Sequence, residues 1–204
     1  MRTDSIFFAI AGMLFGVILG WVIGAQQAPA GPTAAPVAAA GAPAAQGATP
    51  AQAPPLDEAR VQSLMTVIKS DPKNAGAAVQ LANTYFDAEK YPDAITWYEA
   101  SLKIDPSNPD ASTDLGVSYY YTGQVDRALQ QFEASLTLDP KHTKTFLNQG
   151  IVLAFGKQDL AAAQKAWEQV VALAPSSPEG QAAKRALEGV AAAGHPGAAA
   201  KPGS

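Results

Sequence analysis

Along the chain the apolar positions change character twice. From Ser5 to Ala25 they are almost continuous, with no charged residue in IFFAIAGMLFGVILGWVIGA. At about 1.5 Å per residue, about 20 such residues cover a hydrocarbon core about 30 Å thick, so the pattern predicts a transmembrane helix over 5–25. Over 26–55 the apolar pattern gives way to Ala, Pro, Gly, Gln and Thr without a period or a charge. Such a stretch buries too little surface to offset the entropy of ordering and reads as a disordered spacer. From Leu56 to about Val190 apolar residues recur at helical spacing, beginning with Val61, Leu64, Val67 and Ile68. That stretch alone can form a soluble core.

Within it the sequence repeats. Asp71-Pro72, Asp105-Pro106 and Asp139-Pro140 are 34 residues apart each time, and Ala174-Pro175 follows after 35. The same period links small residues Ala82, Gly116 and Gly150, then Tyr85, Tyr119 and Leu153, then Ala94 and Ala128, then Tyr98 and Phe132. With one residue inserted near Gly156 to Asp159, the third copy continues as Ala163, Trp167 and Leu173. Each residue type has a physical task. A small residue on the first helix of a pair lets the second helix approach, a second small residue permits the reciprocal approach, and the large aromatic fills the space between. Proline closes each unit because it cannot continue the preceding helix. The expected organisation is a flanking helix over 56–70, repeats over 75–108, 109–142 and 143–177, a capping helix over 178–193, and a disordered tail over 194–204. The third repeat is the least regular, with Gln149 where the others carry Leu81 and Leu115.

This order of small residue, aromatic, small residue, aromatic and proline resembles the tetratricopeptide-repeat (TPR) family over Ala75 to Pro175. The resemblance implies an all-α fold, a TPR solenoid of three repeats plus flanking helices, following the transmembrane helix. It also implies that the first helix of each repeat lines a concave groove. That places Val79, Asn83, Phe86 and Asp87, then Asp110, Thr113, Val117, Tyr120 and Tyr121, then Lys144, Leu147, Ile151 and Phe155 on the groove. The partner-binding residues expected are Asn83, Phe86, Val117, Tyr120, Tyr121, Lys144, Leu147, Ile151 and Phe155. TPR domains that grip a chaperone C-terminus do so with Lys, Arg and Asn side chains. The corresponding positions here are Val79, Asn83, Asp114, Lys144 and Asn148, of which only Asn83 and Lys144 fit, while Asp114 repels a carboxylate. A groove with this lining suits a protein or peptide with an apolar or aromatic segment. The membrane span, the repeat stack and the run GIVLAFGKQDLAAAQKAWEQVVALAPSSPEGQAAKRAL are also similar to membrane-anchored TPR proteins of bacterial c-type cytochrome maturation, which implies a groove that holds an apocytochrome.

Charge narrows the partner and the topology. Residues 56–190 carry 12 Lys and Arg against 17 Asp and Glu, a poor match to a phosphate backbone, so no nucleic acid is expected. Arg2 precedes the span and the next cation is Arg60, which keeps residues 1–4 in the cytoplasm and sends the repeats across the bacterial inner membrane into the periplasm. Ala28-Pro29-Ala30 offers a weak cleavage site, so a removed signal peptide is the alternative, and the product is exported either way. Gly12, Gly16, Gly20 and Gly24 form a stripe along the span where a second membrane helix can approach. The alternative function is therefore a structural homo-oligomer built on that stripe.

No reaction chemistry is visible. There is no cysteine, and the two histidines, His142 and His195, lie at a repeat junction and in the tail. Gly150 to Lys157 has five residues between its glycines where a phosphate loop has four, and Gln158 stands where that loop has Ser or Thr. The sequence calls for no catalytic residue, no metal and no cofactor.

Overall fold

A computed structural model describes residues 53–193. Eight helices follow one another: α1 Glu58–Ser70, α2 Ala75–Asp87, α3 Tyr91–Ile104, α4 Pro109–Tyr121, α5 Val125–Leu138, α6 Thr143–Ile151 running on into a π turn Val152–Gly156, α7 Leu160–Leu173 and α8 Pro178–Ala193. There is no strand among the described residues. The expected transmembrane helix at 5–25 with its glycine stripe, the spacer and the tail lie outside the described residues, apart from the spacer's last three. No described helix is long and apolar enough to cross a membrane.

The starts and stops of the helices are set locally. Asp57, Asn74, Asn108, Asp159 and Ser177 each accept, through a side-chain oxygen, a hydrogen bond from the backbone N–H three residues on, at 2.9–3.0 Å. Each thereby satisfies a donor that has no partner inside the helix. Pro109 and Pro178 open α4 and α8, where a missing N–H costs nothing. Between the two helices of each repeat the chain turns through one left-handed residue: Glu89 (φ 55°), Gly123 (φ 78°) and Gln158 (φ 57°). Only Gly123 is of the type that adopts this conformation without steric cost.

Consecutive helices pack antiparallel, and the repeat positions read from the sequence form the contacts. Ala82, Ala94, Ala128 and Ala163 are wholly buried, and Tyr98, Phe132 and Trp167 sit between helices with at most 1% of their surface exposed. The glycines are required by this packing. A Cβ on Gly116 would stand 2.6 Å from Cε1 of Phe132, and one on Gly150 would overlap the Trp167 indole. Trp167 also donates its Nε1–H to the carbonyl of Leu147 at 3.2 Å, which fixes the ring. At the ends, α1 buries Val61 and Leu64 against Ala77 and Leu81, and α8 buries Ala182, Ala183 and Ala186 against the third repeat.

The inserted residue of the third repeat is not in the loop near 156–159. Lys157, Gln158 and Asp159 match Thr122, Gly123 and Gln124 in role, with Gln158 taking the left-handed position. The extra residue is absorbed one turn earlier, in the π turn, where the Lys157 N–H bonds the Val152 carbonyl five residues back at 3.1 Å. A helix absorbs one residue this way by widening a single turn. The register ahead of the turn and the packing behind it are both kept.

Candidate functional site

The first helices of the three repeats, α2, α4 and α6, run side by side, and a row of half-buried aromatics crosses their C-terminal ends. Tyr121, at the end of α4, stacks on Tyr91 at the start of α3, with ring centroids 4.4 Å apart and planes 9° from parallel. Phe86, at the end of α2, meets both rings edge-on, at 5.4 Å from Tyr91 and 6.2 Å from Tyr121. Tyr120 lies beside Tyr121 at 5.8 Å and extends the row to the third repeat, where a Cβ on Gly156 would come within 3.2 Å of its ring. Phe155 is half-buried against the core of the third repeat. Burial pushes the Tyr121 hydroxyl well above the ordinary tyrosine range, with Tyr91, Tyr120 and Glu89 adding to it, and burial pushes Tyr91 up to about 12.

Further along the same helices the surface becomes polar. The Lys144 ammonium sits 2.9 Å from one oxygen of Asp114, 3.0 Å from the other, and 3.7 Å from Asp110. Burial works to lower the Lys144 pKa, but the two carboxylates and their hydrogen bonds outweigh it and hold the pKa above the ordinary lysine value. Asn83 accepts the Tyr98 hydroxyl at 2.6 Å. Asp87 is exposed; partial burial raises its pKa, Arg60 works against that and Asp114 adds to it.

Of the residues expected on the groove, Phe86, Tyr120, Tyr121 and Phe155 keep part of their surface open. Val117 and Ile151 are 8% exposed and Leu147 2%, so these three are packed beneath the surface. Leu147 is the backing for Trp167. Lys144 and Asn83 are open only in part and already bonded within the chain. Thr113, placed on the groove by the resemblance, is fully buried. Its hydroxyl bonds Ser135 at 2.9 Å and Thr145 at 2.6 Å, and Ser135 bonds Thr145 at 2.9 Å, closing a triangle under the junction of the second and third repeats. His142 caps this triangle, with Nδ1 2.7 Å from the Thr145 hydroxyl and Nε2 3.4 Å from Asp110.

Sequence reasoning missed two parts of the site. Tyr91 belongs to a second helix and so falls outside a groove drawn on first helices. Its period mates Val125 and Leu160 are also apolar, and that was the available signal. The hydroxyl triangle carried none, because Ser and Thr at helical spacing look the same on a solvated face. No group of side chains suited to a metal occurs among the described residues.

A model of TPR repeats matches residues 82–123, and a tetratricopeptide-repeat model matches 109–142. No curated protein sequence matches the chain. Among solved structures, the chain is similar to the first TPR of Spaghetti (RPAP3) bound to the HSP90 peptide SRMEEVD, with TM-score 0.54, 28% identity, and coverage of 60% of this chain and 94% of that one. The Sgt2 TPR domain of Aspergillus fumigatus gives TM-score 0.53 at 25% identity, covering 64% of this chain and 85% of that one. The Yersinia enterocolitica type III secretion chaperone SycD, in complex with a peptide of the translocator YopD, gives TM-score 0.53 at 21% identity, covering 57% and 92%; at that identity the likeness speaks for the fold alone. The two family matches and the likeness of the helix stack to these domains support the tetratricopeptide-repeat family for this chain.

Proposed function

We propose that the chain is a membrane-anchored, non-catalytic scaffold that holds a partner segment with apolar or aromatic anchors along the α2, α4 and α6 face. The observation that carries this reading is the aromatic row of Phe86, Tyr91, Tyr121 and Tyr120, partly open and running from the first repeat through the second to the edge of the third. Aromatic side chains held rigid by stacking lose little entropy when they bind, which makes them effective interface anchors. The similar Spaghetti domain, solved bound to a peptide, supports a reading in which this chain takes a peptide segment.

The anchor is residues 5–25, and the excess of cations before it favours a periplasmic location for the repeats. Assembly of an envelope complex follows from that placement, and holding an apocytochrome during c-type cytochrome maturation is its most specific form. Loss of c-type cytochromes on deletion of the gene tests that form; their normal assembly rejects it. Self-association through Gly12, Gly16, Gly20 and Gly24 would pair two such grooves.

The groove reading is tested by capturing partners from native membranes with the full-length chain and with Tyr121→Ala, alongside the thermal midpoint of each. Removing a central aromatic anchor should weaken capture at least about tenfold, about 1.4 kcal/mol, while the repeat stack stays folded. Normal capture by Tyr121→Ala, or loss of capture only in step with loss of folding, would contradict it.

A further inference from the structure

We infer that the groove selects a partner segment carrying Lys or Arg beside its apolar anchors and rejects an acidic C-terminus. This rests on the groove reading above and specifies its ligand. The lysine placed to grip a carboxylate is already engaged: Lys144 spends its ammonium on both oxygens of Asp114. What remains open on this face is negative. Asp110 keeps 66% of its side chain exposed while touching Lys144 only at 3.7 Å, and Asp87 is exposed at the end of α2 beside the aromatic Phe86. The charged and titratable groups facing these carboxylates are Lys144, His142 and Arg60 on the positive side and Asp114 on the negative. Lys144 is largely covered and neutralised by Asp114, so it cannot offset Asp110 and Asp87 toward a ligand.

The physical logic is complementarity. A ligand ammonium or guanidinium gains beside Asp87, at the aromatic end of this face, or beside Asp110, in the first turn of α4, whereas a ligand carboxylate meets repulsion at both and finds the Lys144 ammonium already held by Asp114. The aromatic row supplies the adjoining apolar surface, and its rings accept a cation face-on as well. The likeness to a domain bound to SRMEEVD therefore extends to the fold and the groove and not to the acidic ligand.

The test uses the full-length chain and fluorescence anisotropy with three labelled probes: SRMEEVD itself, a peptide of about 12 residues with Trp and Leu anchors separated by Lys, and the same peptide with Glu for Lys. The Lys peptide should bind about tenfold or more tighter than the Glu peptide and SRMEEVD. Asp87→Asn with Asp110→Asn should cut that advantage to about twofold, as should salt near 1 M, where charges are screened within about 3 Å. Equal or tighter binding of the Glu peptide or SRMEEVD overturns the inference. If Tyr121→Ala weakens both charged peptides alike, the groove reading survives whatever the charge preference. If Tyr121→Ala leaves their binding unchanged, or if no probe binds at all, the groove reading and this inference fall together.

Discussion

At the scale of single residues, the most constrained positions are those where two helices approach over a glycine. Gly116 and Gly150 were legible in the sequence because each sits 34 residues from a small residue and faces a large aromatic one repeat-half later. The two are not equivalent. The Trp167 indole is held by its hydrogen bond to Leu147, so it cannot swing aside as easily as the Phe132 ring. Gly150→Ala should therefore destabilise the protein by about 2 kcal/mol, more than Gly116→Ala, because overpacking a close-packed site forces neighbours out of place. Chemical denaturation checks this, and a Gly150→Ala variant as stable as wild type would mean the indole has room to move. The hydroxyls of Thr113, Ser135 and Thr145 mark the opposite case. Their burial depends on partners brought together from three helices, which no local pattern encodes.

At the scale of the helix, the repeat period fixed the element order but not how an interruption would be absorbed. An extra residue can loop out of a turn or widen a helix, and the sequence near 156–159 fits either. The left-handed turn residue decides it, since Glu89, Gly123 and Gln158 do the same work and require the extra residue to lie upstream of Gln158. Deleting Leu153 from the π turn should accordingly restore a regular α-helix and leave helicity and the thermal midpoint nearly unchanged. Deleting one residue from the preceding helix, such as Asn148, should unfold the third repeat by rotating Gly150 away from Trp167. Circular dichroism melts separate the two, and equal damage from both deletions would show that the π turn carries no spare residue. The head of α3 teaches a related point. Tyr91 joins the aromatic row because an antiparallel pair brings the start of the second helix beside the end of the first. A groove assigned only to first helices therefore omits it. The same assignment takes in the buried Val117, Leu147 and Ile151, because no sequence signal separates a groove wall from the layer beneath it.

At the scale of the whole molecule, the repeats tie all six tyrosines into the stack, and in each the hydroxyl pKa is raised above its ordinary value with burial as the largest cause. A group whose folded pKa lies above its unfolded value holds its proton more tightly when folded. Its stabilising contribution is full below about pH 10 and is lost as pH rises above that, at about 1.4 kcal/mol per pH unit for each proton concerned. Lys144 acts in the same direction. Tyrosinate absorbance from Tyr98 and Tyr121, whose hydroxyls burial raises furthest, should therefore appear only together with loss of helicity, above pH about 10. A gradual titration centred near pH 10 with the helices intact would show that the rings are open to solvent.

The claim that binds these scales together is that a partner lies across the aromatic face of α2, α4 and α6. Site-specific photo-crosslinking in native membranes tests it most directly, with the photoreactive residue placed at Phe155 or Asp87 on that face and at exposed Glu133 or Glu168 on the second helices. Adducts to the same partner band from Phe155 and Asp87, with none from Glu133 or Glu168, are the predicted result. Adducts confined to Glu133 or Glu168 would contradict it and move the interaction to the opposite side of the stack.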